Sequence, residues 1–299
     1  MGEINLIYIL IILVMRVVQA VENKRASQLL PEALSGRVKY ITCYCAIAAA
    51  FAFVTLVFGG EIKNIDLPTV VIAGLSGLSL AGGAVCGLIA MQSGTMTLSS
   101  MFSSAGLLVP CFAGIFLFSE HIGIFQWVAM ALLMVSAYLL IKSSKDIYPQ
   151  FSLKTFILLI LSMLTNGLTM LFQKLFSYYV TDGSVSMFSF LTFAIPAVLL
   201  AVFGKCICGA DKEEKSFRMP KKLILAAVLL AAAVFVINQF ATLAASSISS
   251  IVLFASINGG ATIITALVGA IMYKEKLNAR STAGVILGIA ALILIKAFE

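Results

Sequence analysis

Arg16, Gln19, Asn23 and Ser27 recur at i, i+3, i+7 and i+11 within an apolar run. That spacing puts four polar side chains on one face of a helix. Asn166, Thr169, Gln173 and Ser177 repeat the same spacing 150 positions later. Amides and hydroxyls in an apolar setting cost free energy unless hydrogen-bonded, so each face must turn to protein or water and not to lipid. Two readings follow: both faces line one aqueous substrate pathway, or both only bond helices together. Arg16 adds a charge near the centre of its run, where insertion costs roughly 3 kcal/mol and an ionisable residue is a functional candidate. Its planar fork suits a carboxylate or phosphate. The other outcomes for Arg16 are snorkelling and pairing with carbonyls. Asn238, Gln239 and Asn258 lie mid-run further along, and Gln92 near the end of another run. Each divides between cavity lining and structural bonding.

Other chemistries find little support. Glu22 pairs most simply with a neighbouring Lys or Arg, and no carboxylate sits centrally in any run, so no proton-coupling site is evident. The single histidine, His121, and six cysteines without CxxC pairing do not build a metal site. Cys43, Cys45, Cys86 and Cys111 read as small packing residues, and Cys206 and Cys208 as free thiols beside a charged loop. No cofactor is implied, and no glycine-rich phosphate loop offers direct nucleotide drive. An intramembrane enzyme would need a cluster of acid, base or nucleophile within the runs, and none is visible.

The elements that position these residues are long. The chain has 299 residues, 61% hydrophobic and 11% charged, which excludes an ordinary soluble domain. Ten apolar segments emerge: Ile4–Leu29, Tyr40–Phe58, Thr69–Met91, Thr95–Phe118, Ile124–Ile141, Thr155–Tyr179, Met187–Gly204, Leu223–Ser246, Ile251–Tyr273 and Ser281–Ile295. A span needs roughly 20 apolar residues as a helix, against about 10 alternating ones in a barrel strand. The expected fold is an all-α polytopic membrane protein with ten transmembrane helices. The first run lacks the basic flank and cleavage site of a signal peptide, so it reads as a retained helix.

The net charge of +7 concentrates in short connections. Those after segments 1, 3, 5, 7 and 9 hold 16 of the 20 Lys and Arg residues, while Lys63 and Lys296 lie opposite. This bias reads as membrane topology rather than nucleic-acid binding. It places the odd-numbered connections in the cytoplasm and both termini outside. The longest, Lys205–Lys222, reads as a solvated loop. Lys24 and Lys174, near helix ends, are expected to snorkel. Tyr8, Trp127 and Tyr273 are candidate interface anchors.

The halves 1–146 and 147–299 match weakly but in register. Asn23-Lys24 corresponds to Gln173-Lys174, and the Phe-Ser-Glu120 turn to the Tyr-Lys-Glu275 turn, with each glutamate favouring a helix N-terminus. Ser103-Ser104-Ala105-Gly106 and Asn258-Gly259-Gly260-Ala261 are matching small patches, for close packing or a broken helix. Gly83 with Gly87, and Gly284 with Gly288, have the GxxxG spacing of packed helices. Five segments per half is odd, so homologous halves must lie inverted, as in carriers with a midplane site.

On these matched features the chain resembles a ten-helix, EamA-like member of the drug/metabolite transporter superfamily, along essentially its whole length. The resemblance implies two inverted five-helix repeats in a cell membrane and a carrier of small metabolites such as amino acids, amines or nucleosides. It also implies cytoplasmic termini, opposite to the charge bias. The substrate-binding candidates are Arg16, Gln19, Asn23, Asn166, Thr169, Gln173, Asn238, Gln239 and Asn258. The expected partners are a small-molecule substrate and the lipid bilayer, with no nucleic acid, and the chain working as a monomer or homodimer. A channel is the main rival, although no filter-like element is visible.

Overall fold

The computed structural model describes residues 3–31, 33–60, 66–93, 96–119, 123–147, 152–208, 219–274 and 278–297. The turns with Glu120, His121 and Glu275, residues 209–218 of the basic loop, and the side chains of Gln92, Cys206 and Cys208 lie outside the described residues. Eleven helices form among those described: α1 (Glu3–Leu29), α2 (Leu34–Phe58), α3 (Leu67–Ser93), α4 (Met96–Ala105), α5 (Leu108–Leu117), α6 (Ile124–Ile147), α7 (Leu153–Tyr179), α8 (Val185–Cys208), α9 (Lys221–Ala245), α10 (Ser250–Met272) and α11 (Ala279–Ala297). Among the described residues, six stretches are long and apolar enough to cross a membrane: Leu6–Leu29, Leu34–Phe58, Leu67–Met91, Leu153–Tyr179, Val185–Lys205 and Lys221–Ala245. Phe102–Leu117, Ile124–Ser136 and Ala279–Ala291 are shorter apolar stretches. This is the make-up of a multi-pass helical membrane protein. Large apolar side chains point outward along these helices, among them Val14, Phe53, Leu75, Leu161, Val202 and Ile286. An outward belt of that kind suits hydrocarbon rather than water.

Local sequence sets several helix starts. The Ser152 hydroxyl accepts from the Thr155 amide at 3.2 Å, Ser184 from Met187 at 3.0 Å and the Asn278 side chain from Ser281 at 2.8 Å. Each satisfies an orphan donor of the first turn. α2 begins six residues before the apolar run, because Arg37 and Lys39 continue the helix where the chain leaves the apolar zone.

One expectation needs correction. Thr95–Phe118 reads as a single span, but the chain breaks it into α4 and α5 at Gly106-Leu107. Pro110 has no amide hydrogen for the Gly106 carbonyl, which accepts from Val109 at 3.0 Å instead. The Ser103 carbonyl, similarly, takes the Gly106 amide at 3.1 Å. Gly106 also faces Gly167 of α7, where an added Cβ would run into the Gly106 carbonyl oxygen. The matching patch at Asn258–Ala261 has no proline one turn on, and α10 runs through it unbroken.

The helices pack in a regular scheme. α3 lies along α7 and α1 along α9; α2 packs on α8, α6 on α11 and α4 on α10. α3 also touches α8, as α9 touches α2, and α4 and α5 meet α7, as α10 meets α1. Glycine permits the tightest approaches. Pro196 in α8 cannot donate to the Thr192 carbonyl, and Gly77 of α3 sits against that carbonyl, where a Cβ would collide. Gly83 and Gly87 of α3 face Thr165 and Ser162 of α7. Ser136 of α6 donates to the Gly284 carbonyl of α11 at 2.6 Å.

Candidate functional site

The stripes of α1 and α7 meet at one cavity of about 180 Å³. Arg16, Gln19 and Asn23 line it from α1, Asn166, Thr169 and Gln173 from α7, Asn238 from α9 and Asn258 from α10. Thus eight of the nine candidates come together. Gln239 does not line it: its side chain turns to α8, accepting from Ser189 at 2.8 Å and donating to Ser186 at 3.1 Å. Adjacent residues on a helix point about 100° apart, so although both reach Ser189, only Asn238 also borders the cavity. Ser27 and Ser177, the last members of the two stripes, bond backbone carbonyls instead, Ser27 that of Lys24 and Ser177 those of Gln173 and Thr242.

Among the described lining residues, Arg16 carries the only charge. One of its terminal nitrogens donates to the Gln19 side-chain oxygen at 3.0 Å, and its Nε is buried without a partner. The nearest carboxylate along α1, Glu22, is held by Arg25 at 3.1 Å. A guanidinium lining a cavity can hold an anion through its terminal nitrogens.

The far wall is a network of amides. Asn166 donates to the Ser103 carbonyl at the α4 break at 2.7 Å. Gln173 donates to Asn238 at 2.7 Å, and Asn238 to Ser189 of α8 at 3.0 Å. Asn258 donates to the Phe254 carbonyl at 2.7 Å and contacts the Met170 sulfur at 3.7 Å. Thr169 bonds back to the Thr165 carbonyl at 3.0 Å. The remaining wall comes from residues that the sequence does not single out as site residues. Tyr44, Ser79, Ser99 and Ser162 are among them, as are Thr265 and the apolar Leu80, Leu88, Leu230, Val234 and Ile237. Small hydroxyls recur throughout apolar helices as packing groups, so only the patch containing Ser103 and Ser104 carries a sequence signal.

The two ends of the cavity differ. Its lining runs from the middle of α1 toward the end bearing Lys24 and Arg25. On the other side of Arg16 the space is filled by a dry cluster. Ile9 and Ile12 pack there with Leu107, Cys111, Ile248 and Leu253, with Tyr8 against Phe240 at 5.2 Å. Lys174 reinforces this end. Rather than snorkelling, it is buried, donating to the Ala245 and Ile248 carbonyls at 3.0 and 2.9 Å, with its ammonium 5.8 Å from the Phe118 ring centre. It caps the C-terminus of α9, where orphan carbonyls and the helix dipole favour a cation. Among the described residues no three His, Cys, Asp or Glu side chains converge as metal ligands would.

No family model and no curated protein match the sequence. Among solved structures, 28 chains match. One crystal structure of a protein superposes on 98% of this chain and 96% of its own length, with a TM-score of 0.70 at 11% identity. At that identity the likeness is one of fold alone.

Proposed function

We propose that the chain is a secondary carrier of the EamA-like, drug/metabolite transporter type, moving a small polar or amphipathic metabolite across a cell membrane by alternating access. In this reading α4 and α5 together form one span, giving ten spans in two inverted halves, 1–146 and 147–299. The packing scheme supports the inversion. Exchanging α1 to α6 for α7 to α11, with α4 and α5 as one span, turns the α3–α7 pair into α9–α1 and the α3–α8 pair into α9–α2. The pairs α2–α8 and α6–α11 map onto themselves.

The observation that carries the function is the cavity. It mixes polar and apolar lining, lies between the halves, is lined by matched polar faces of α1 and α7, and is blocked at one end by packed side chains. A blocked end supports a carrier over a continuously open pore. Purified protein in liposomes is expected to show saturable uptake that exchanges with unlabelled substrate on the other side. Linear, non-saturating flux would replace the carrier with a channel.

A further inference from the structure

The amides around the cavity are not free to present either end. The Ser103 and Phe254 carbonyls can only accept, so Asn166 and Asn258 must turn their nitrogens into the wall. Gln173 likewise turns its nitrogen to Asn238. The side-chain oxygens of Asn166, Gln173 and Asn258 are left without a donor, so the wall formed by α7 and α10 presents three acceptors beside the second amide hydrogens of Asn166 and Gln173. The α1 wall is opposite in character. The Arg16 guanidinium can only donate, so Gln19 gives it its oxygen and keeps its amide nitrogen as a further donor.

We propose that the cavity selects a small zwitterion, its anionic end held by Arg16 and Gln19 and its ammonium end by the side-chain oxygens of Asn166, Gln173 and Asn258. The proposal rests on the carrier reading only for the idea that the bound molecule is transported. A plain amine would bring a second cation toward Arg16 with no carboxylate among the described lining residues to offset it. A plain carboxylate would satisfy Arg16 and leave three acceptors facing it unmet, the costly asymmetry of polar sites. A zwitterion meets both walls. Leu80, Leu88, Leu230, Val234 and Ile237 give room for an aliphatic side group.

The test compares matched sets. The protein in detergent is melted with each of the standard amino acids and with 4-aminobutyrate. Each is set beside its deaminated or hydroxy-acid analogue and its decarboxylated amine. One or more zwitterions are expected to raise the melting temperature, with both analogues weaker by about tenfold or more. An analogue that equals its parent overturns the proposal, as does a panel in which no zwitterion acts. Arg16→Gln is expected to invert the order, so that the amine binds at least as well as its parent. Asn258→Asp is expected to strengthen the parent over the hydroxy acid, and Asn166→Asp serves if that variant does not fold. An unchanged order in Arg16→Gln, or an unchanged ratio of parent to hydroxy acid in the Asp variant, also overturns the assignment. Counterflow in liposomes separates the two readings. Saturable exchange of hydroxy acids alone keeps the carrier and removes zwitterion selection. Zwitterion binding without exchange does the reverse.

Discussion

Arg16 and Gln239 show how differently two polar residues in apolar helices can behave. The Arg16 side chain lines a cavity whose described lining holds no carboxylate, so its loss removes a charged donor without breaking an ion pair. Arg16→Gln is expected to reduce exchange of an anionic-ended substrate by about a hundredfold, in line with a hydrogen bond to a charged group of roughly 1.5–3 kcal/mol, while the protein still folds. Initial rates in liposomes beside a melting curve measure this; wild-type rates would remove Arg16 from the site. Gln239→Leu is expected to do the opposite. Losing its bonds to Ser186 and Ser189 lowers stability by about 1–2 kcal/mol and leaves the half-saturating substrate concentration unchanged. Lys174→Met strips two carbonyls of a charged donor and is expected to cost about 3 kcal/mol, read as a fall in melting temperature. The two stripes were legible in sequence because a buried amide is expensive in an apolar run. Which amide faces the cavity was not legible, since that depends on which neighbouring helix offers a carbonyl.

At the scale of elements, hydrophobicity located most helices and misplaced their ends. α2 and α6 continue past their apolar runs through Arg37, Lys39, Lys142 and Lys145, because helical bonding does not stop where hydrocarbon does. The break between α4 and α5 had its cause in plain view. Gly106 and Pro110 stand four residues apart, and Pro110 removes the donor that would have joined them. It was hidden because glycine patches in membrane helices usually mean packing, as the unbroken α10 illustrates. Here both apply, with Gly106 seated against Gly167. Gly167→Ala is therefore expected to cost about 2 kcal/mol, since the new Cβ meets backbone and Val109. Gly83→Ala meets the Thr165 hydroxyl, a rotatable group 2.9 Å away, and is expected to cost less. Melting curves of the two variants rank them; equal losses would show that the α4–α5 joint yields as easily as a side chain.

For the whole molecule, charge and packing address different questions. With ten spans, the basic connections after the odd-numbered segments predict both termini outside under the positive-inside rule. A phosphatase fused after Glu299 is expected to be active outside the cell, and a fluorescent protein there dark in an oxidising compartment. The reverse result would put both ends in the cytoplasm. The pairing of α3 with α7 and of α1 with α9 was beyond sequence reading, because the residues that meet there, such as Gly83, Gly87, Ile9, Ile12, Ala241 and Ala244, are of types common throughout the chain. The α4–α5 joint lies on a boundary within this arrangement. On one side, Ser103 is tied to Asn166 in the wall of the chamber; on the other, Leu107 and Cys111 belong to the plug that stops its far end. In the carrier proposed above, a bend at Gly106 would loosen the stopper and leave the chamber wall standing, so that one end could open without disturbing a bound molecule.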